Sequence, residues 1–206
     1  MFSFFIDRLS GLPRFIVVTL TELMWALTGL LLTIGGNFVQ AAMLGIGLGQ
    51  IPTYLLGVSY QIGAVLLIGC LAGRNAAVIS QIAYLVLGLA GFQIFSQGGG
   101  IGYLGQPTFG YLLGFVPGAW LCGYLAFRAV PKLEWLVCCC MAGLVAIHAT
   151  GITYLSVMHG LRLVPKDSLG LFAEIGIYSL QQLPGQIGVV CAVTVVAFLF
   201  RRAMFY

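Results

Sequence analysis

Residues 108–128 read TFGYLLGFVPGAWLCGYLAFR, an uninterrupted uncharged run closed by Arg128. At 1.5 Å per residue, about 20 apolar residues cross the roughly 30 Å hydrocarbon core of a bilayer. A helix of a soluble protein needs one apolar face; this run is apolar all round, so lipid is its solvent. Gly110, Gly114 and Gly118 recur every four residues and lay a smooth stripe along one face, where a second helix backbone can approach closely. The rest of the chain agrees. Of 206 residues, 61% are hydrophobic and 7% charged, and the mean hydropathy is +1.08. A soluble domain is about a quarter charged. The net charge of +4 is spread singly and in pairs, with no basic stripe for nucleic acid.

Six spans of suitable length follow: 15–36, 54–73, 76–95, 108–128, 133–157 and 184–203. Arg74-Asn75 divides the second from the third, and Ser96 to Pro107 the third from the fourth. Residues 128–132 and 158–183 make the later breaks, while 37–53 read as an extension of the first span or a short surface helix. Met1 to Arg14 resembles a basic leader and Val39-Gln40-Ala41 a small-residue cleavage site. The apolar run after Arg14 is too long for a signal h-region, so it reads as a retained first helix. Basic residues resist translocation. Placing the N-terminus inside puts Arg8, Arg14, Arg74, Arg128, Lys132, Arg201 and Arg202 on inner segments and only Arg162 and Lys166 on outer ones. The expected fold is all-α: a single multi-pass domain over residues 1–206, with six transmembrane helices and both termini inside. Its expected location is the plasma (inner) membrane.

Residues 95–115, FSQGGGIGYLGQPTFGYLLGF, carry the densest functional signal. Flexible connectors are rich in serine and charge, whereas this outer segment is apolar and aromatic. Gly98, Gly99 and Gly100 remove side chains and leave backbone amides open to a ligand. Gln97, Tyr103, Pro107, Thr108 and Tyr111 add amide, hydroxyl and flat aromatic groups. These residues are expected to bind a small molecule.

The same stretch resembles the BioY family, the biotin-specific substrate-binding (S) components of energy-coupling factor (ECF) vitamin transporters. The family carries a glycine-rich loop and then Gly-Pro-Thr-Gly-Gly-Tyr-Leu-x-Gly-Phe. Here the run is Gln106-Pro107-Thr108-Phe109-Gly110-Tyr111-Leu112-Leu113-Gly114-Phe115. Gln61 to Leu67, Gly73-Arg74, Tyr84 to Gly88 and Leu183-Pro184-Gly185 also resemble family segments. The resemblance runs from about Tyr60 to Phe200. It implies an S-component bundle that binds biotin or a biotin-like vitamin in an outward-facing pocket capped by the 96–107 loop. Gln61, Tyr84, Gln182 and Gln186 join the loop residues as ligand-binding candidates. It further implies an ECF transmembrane coupling protein and cytosolic ABC ATPases as partners. Docking on the coupling protein is expected through small residues of the first helix, here Gly29 and Thr33. Two departures stand out. Gln106 and Phe109 replace glycines, and Pro184-Gly185-Gln186-Ile187-Gly188-Val189 lacks the acidic and basic residues of the family's Pro-Gly-Asp-x-x-Lys. Gln182 and Gln186 flank that helix start, whose free amides and dipole favour an anion.

Other chemistry is thinly represented. Cys70, Cys122, Cys138, Cys139, Cys140 and Cys191 lie inside apolar runs with neither zinc nor disulfide spacing, and read as packing residues. His148 and His159 are eleven residues apart and share a helix face; satisfied helix histidines are expected. Asp167 and Glu174 are expected to be solvated, with Ser168 to Leu180 a short amphipathic helix. Glu22 in the first span needs a partner or reach to the interface. No nucleotide-binding loop, metalloprotease motif or nucleophile elbow occurs. No metal, cofactor or catalytic residue is expected. The alternatives are an intramembrane enzyme, with His148 and Glu174 or Tyr84 as its best polar pair, and a small passive carrier or channel.

Overall fold

The computed structural model describes residues 20–44, 53–163 and 170–205; Arg8, Arg14, Lys166, Asp167 and Ser168 lie outside them. Helix α1 (Leu20–Phe38) leads into an antiparallel hairpin of β1 (Gln40–Leu44) and β2 (Thr53–Ser59). Then come α2 (Gln61–Leu89), a 3-10 turn (Ile101–Gly105), α3 (Phe109–Ala126) and α4 (Leu133–Gly160). A short α5 (Leu171–Ile175) continues through a π turn (Gly176–Leu180) into α6 (Leu183–Phe205). Four helical stretches among the described residues are long and apolar enough to cross a membrane: Gln61–Leu89, Phe109–Ala126, Leu133–Gly160 and Leu171–Met204.

The first of these is folded back on itself. Gly73 has φ 78° and ψ 179°, outside the helical region. The amide of Gln61 donates to the Tyr84 hydroxyl at 2.7 Å, although 23 residues separate them. A straight helix would hold those residues about 35 Å apart. Helix α2 is therefore two antiparallel limbs, 61–72 and 74–89, turned at the Gly73-Arg74 break that the sequence marks. The 61–72 limb rises about 18 Å, well short of the hydrocarbon thickness.

Where the sequence suggested helix from residue 54, the chain is a strand, and residues 37–53 hold no surface helix among those described. The β1–β2 ladder, closed by Tyr60 N–H to Val39 O at 3.0 Å, pairs the facing edges of the two strands. The register slips opposite Gln40 and Ala42, and Gly57 sits at φ 68° in the resulting bulge. The fold is thus helical with one hairpin rather than all-α. The third expected span, 76–95, ends its helix at Leu89.

Packing between the long helices runs on small residues, as association in lipid requires. A Cβ on Gly114 would lie 2.7 Å from the Ile147 carbonyl oxygen, and one on Gly118 2.6 Å from the Ile147 side chain. The stripe of α3 is therefore the seat of α4. Gly69 of the first α2 limb meets the Ala119 carbonyl in the same way. Between these helices Cys70 Sγ lies 3.6 Å from Cys122 and 3.5 Å from Cys140, all three buried. Sequence spacing did not foretell this meeting. The contacts are of van der Waals length, inside an apolar cluster with Leu136, Leu144 and Val190.

Gly29 and Thr33 are buried, and a Cβ at Gly29 would meet Ile68 at 2.7 Å and Ser80 at 2.9 Å. They face the α2 limbs and cannot serve as a docking surface. Glu22 accepts from the Asn75 side chain at 3.4 Å. At the Gly73 end of the bundle, Arg74 and Arg128 lie over the Tyr124 ring at 5.6 and 4.4 Å. Arg201 donates to the Ala126 carbonyl at 2.7 Å.

Gly73→Ala places a Cβ in a backbone region essentially reserved for glycine, at a cost of about 1–3 kcal/mol. Its detergent-solubilised melting temperature should fall by several degrees, while Gly102→Ala, which points into open space, should leave it unchanged.

Candidate functional site

The three helix starts at Gln61, Phe109 and Leu183 converge at the end of the bundle opposite the arginines. They surround a cavity of about 360 Å³, within the range of small-molecule sites. Its walls come from the end of α1 and the hairpin (Asn37, Gln40, Gly57, Val58, Ser59) and from the start of α2 (Gln61, Ile62). The 96–108 segment gives Ser96 and Thr108, and α3 gives Tyr111, Leu112 and Phe115. The segment before α6 and its first turn contribute Tyr178, Gln182 and Gln186. Ten of the fifteen lining residues carry an amide or a hydroxyl, among apolar wall from Ile62, Leu112 and Phe115; no charged side chain lines the cavity among the described residues.

Of the expected ligand residues, Gln61, Thr108, Tyr111, Gln182 and Gln186 line this cavity. Tyr84 and Tyr103 stand behind it. Tyr84 is fully buried, accepts from Gln61 and donates to the Ile94 carbonyl at 3.1 Å. The Asn37 amide donates to the same carbonyl at 3.1 Å, and Ser96 Oγ donates to Asn37 Oδ1 at 2.9 Å. Tyr103 accepts from Thr108 at 3.3 Å.

Gln97, Gly98, Gly99, Gly100 and Pro107 are not part of the cavity wall. Two of the three glycine amides expected to be open are engaged: Gly98 N–H bonds Phe95 O at 3.2 Å and Gly100 N–H bonds Gly88 O at 2.8 Å. A Cβ on Gly99 would lie 2.1 Å from the Phe92 carbonyl oxygen. The glycines let the loop lie flat on the end of α2. The loop's aromatics hold it there: Phe95 packs on Tyr84 at 5.3 Å and on Tyr103 at 4.7 Å, and Tyr103 on Phe109 at 6.3 Å.

A hydrogen-bonded chain runs behind the Tyr111–Gln186 wall. Tyr111 OH lies 2.7 Å from Ser179 Oγ, which lies 3.1 Å from His148 Nδ1. His148 Nε2 lies 2.6 Å from Gln186 Oε1, and Gln186 Nε2 donates to Gln182 Oε1 at 3.1 Å. His148 is thus a satisfied histidine, and the groups that satisfy it line the cavity or touch residues that do. The π turn places Ser179 and Tyr178; such turns recur at functional sites. Glu174, expected to be solvated, is 3% exposed and 3.7 Å from His159, so both histidines of the α4 face look onto the 171–186 segment. Sequence reading missed Asn37, Gln40, Ser59, Ser96 and Tyr178 as lining residues. The available signal was a polar side chain interrupting an apolar stretch.

Residues 37–205 match the BioY family. The chain belongs to the BioY family. It is similar to the probable biotin transporter BioY of Lysinibacillus sphaericus, with 40% identity over 120 residues, 58% of this chain and 61% of that protein. An uncharacterised 21.2 kDa protein of Cyanophora paradoxa is 29% identical over 185 residues, 88% of this chain and 95% of its own length. The biotin transporter BioY of Thermotoga maritima is 33% identical over 119 residues, covering 57% and 67%. A crystal structure of the S-component for biotin from an ECF-type ABC transporter superposes with a TM-score of 0.68 at 17% identity, covering 92% of this chain and 95% of that one. That likeness is one of fold. All the cavity-lining residues fall within the BioY match. The family consists of transporter components, not enzymes, and the intramembrane-enzyme reading falls with it.

Removing the Tyr84 hydroxyl leaves the buried Gln61 amide without its partner, at about 1–3 kcal/mol, while the Ile94 carbonyl keeps the Asn37 amide. Tyr84→Phe should therefore lower the melting temperature. Gln61→Leu should cost less in the Tyr84→Phe background than alone, because the two share one bond; strictly additive losses would refute the coupling.

Proposed function

We propose that this chain is the substrate-binding membrane subunit of an ECF-type uptake system for biotin or a biotin-like vitamin. The observation that carries this is the uncharged, amide- and hydroxyl-lined cavity built wholly from BioY-matching residues. A ureido ring needs matched donors and acceptors, which Asn37, Gln61, Ser96 and Thr108 offer. The apolar sulfur ring and alkyl chain suit Ile62, Leu112 and Phe115. The carboxylate suits the wall of Tyr111, Gln182 and Gln186 at the N-terminus of α6, where free amides and the helix dipole favour an anion.

In this reading the chain crosses the plasma (inner) membrane six times, through α1, β2 together with the short first limb of α2, the second limb of α2, α3, α4 and α6, with both termini in the cytosol. Arg74, Arg128 and Arg201 gather at the end away from the cavity, which supports a cytosolic face there and an outward-facing site. The 96–107 loop borders the site through Ser96 and Thr108 and is braced by its own aromatics. Coupling to ATP hydrolysis falls to a transmembrane coupling protein and cytosolic ABC ATPases.

Equilibrium binding of biotin to purified protein tests the reading. Biotin should bind, and Tyr111→Ala and Gln186→Ala should each weaken it by about tenfold or more, the loss of a hydrogen bond or two of about 1–1.5 kcal/mol each. No binding by folded protein would reject biotin as the ligand. Rapid equilibrating flux through proteoliposomes holding this chain alone would favour a passive carrier.

A further inference from the structure

We infer that binding of a carboxylate-bearing ligand is coupled to protonation of His148, which stands in for the missing cationic side chain; this rests on the biotin-site reading above. The directions of the hydrogen bonds fix the logic. Gln186 Nε2 donates to Gln182, so Gln186 Oε1 faces His148 and only accepts. His148 Nε2 therefore carries a proton. In the neutral ring Nδ1 is then an acceptor, taking the Ser179 hydroxyl proton, and Ser179 Oγ accepts from Tyr111. Tyr111 is left presenting only lone pairs to the cavity it lines, which is the wrong polarity for a carboxylate.

Adding one proton at Nδ1 reverses the chain. Nδ1–H now donates to Ser179 Oγ, Ser179 donates to Tyr111, and the Tyr111 O–H is released as a donor toward the cavity. The same proton puts a positive charge one residue behind Gln186, where no charged side chain among the described residues lines the cavity. Both changes favour a carboxylate, and a bond to an ionised partner is roughly twice as strong as a neutral one. Histidine is the side chain that ordinarily changes charge near neutrality.

The groups facing the ring come from three elements. Helix α3 gives Tyr111, whose ring meets the imidazole edge-on at 5.7 Å. The 171–182 segment gives Ser179, with Tyr178 near Tyr111 at 6.2 Å and Glu174 close enough to act on both tyrosines. Helix α6 gives Gln186. Glu174 lies on the His159 side, so a proton could instead settle there, and the test separates the two.

Calorimetric titration of biotin at pH 7.5, in buffers of different ionisation enthalpy, reads the protons taken up on binding. The wild type should take up protons with biotin and none with biotinamide, which lacks the carboxylate. Affinity for biotin should rise as pH falls from 8 to 6, and affinity for biotinamide should not. His148→Gln keeps a donor to Gln186 but cannot titrate; it should bind biotin about tenfold more weakly, with no proton uptake, while His159→Gln retains the uptake. Biotin binding by the wild type without proton uptake, or unchanged uptake in His148→Gln, would overturn the inference and leave the biotin site standing. Absence of biotin binding by the wild type would overturn both.

Discussion

The bond between Gln61 and Tyr84 marks the constraint on which the rest of the molecule depends. It exists because Gly73 turns the chain back, and it holds a limb of α2 that is too short to span the bilayer. A short limb leaves non-helical backbone beside it, and the β1–β2 hairpin pairs part of that backbone. A bulged hairpin beside a truncated helix cannot fill the space a full helix would take. The cavity is that space, roofed by the starts of α3 and α6.

The glycine-rich segment belongs to the same economy of space. Its glycines bring loop backbone onto the end of α2, with Gly99 against the Phe92 carbonyl and Gly88 against the Phe95 ring. Ile94, held by both Tyr84 and Asn37, ties that loop to α1 and to the fold-back. Tyr84 and Tyr103 thus stand one layer behind the cavity wall and hold Gln61 and Thr108, which line it.

Much of the helical frame was legible in the sequence because lipid imposes a blunt rule on composition. The spans at 108–128, 133–157 and 184–203 and the break at Arg74-Asn75 follow from uncharged length and isolated basic residues. The stripe of Gly110, Gly114 and Gly118 announced the α3–α4 contact. The strand at 53–59 was not legible: TYLLGVS is as apolar as a helix, and the exposed Leu55 is as apolar as the buried Val58, so hydropathy shows no period. Nor was the inward face of Gly29, since a small residue does not say which neighbour it serves. Thr108 and Tyr111 stood out in the glycine-rich stretch, Gln61 through the family resemblance, and Gln182 and Gln186 beside a helix start. Asn37, Ser96 and Tyr178 join them only through the hairpin, the loop and the π turn, which are tertiary features. Glu174 reads as a surface charge in any single sequence; its burial against His159 depends on how the 171–182 segment folds over α4.

The central claim is that the ligand lies among the starts of α2, α3 and α6. Photo-crosslinking with a biotin bearing a diazirine on its alkyl chain, followed by peptide mapping, locates it directly. Label should appear within residues 108–115 and 178–186 and be suppressed by excess biotin. Competable label confined to the lipid-facing side of α1 or to the arginine end of the bundle would contradict the account.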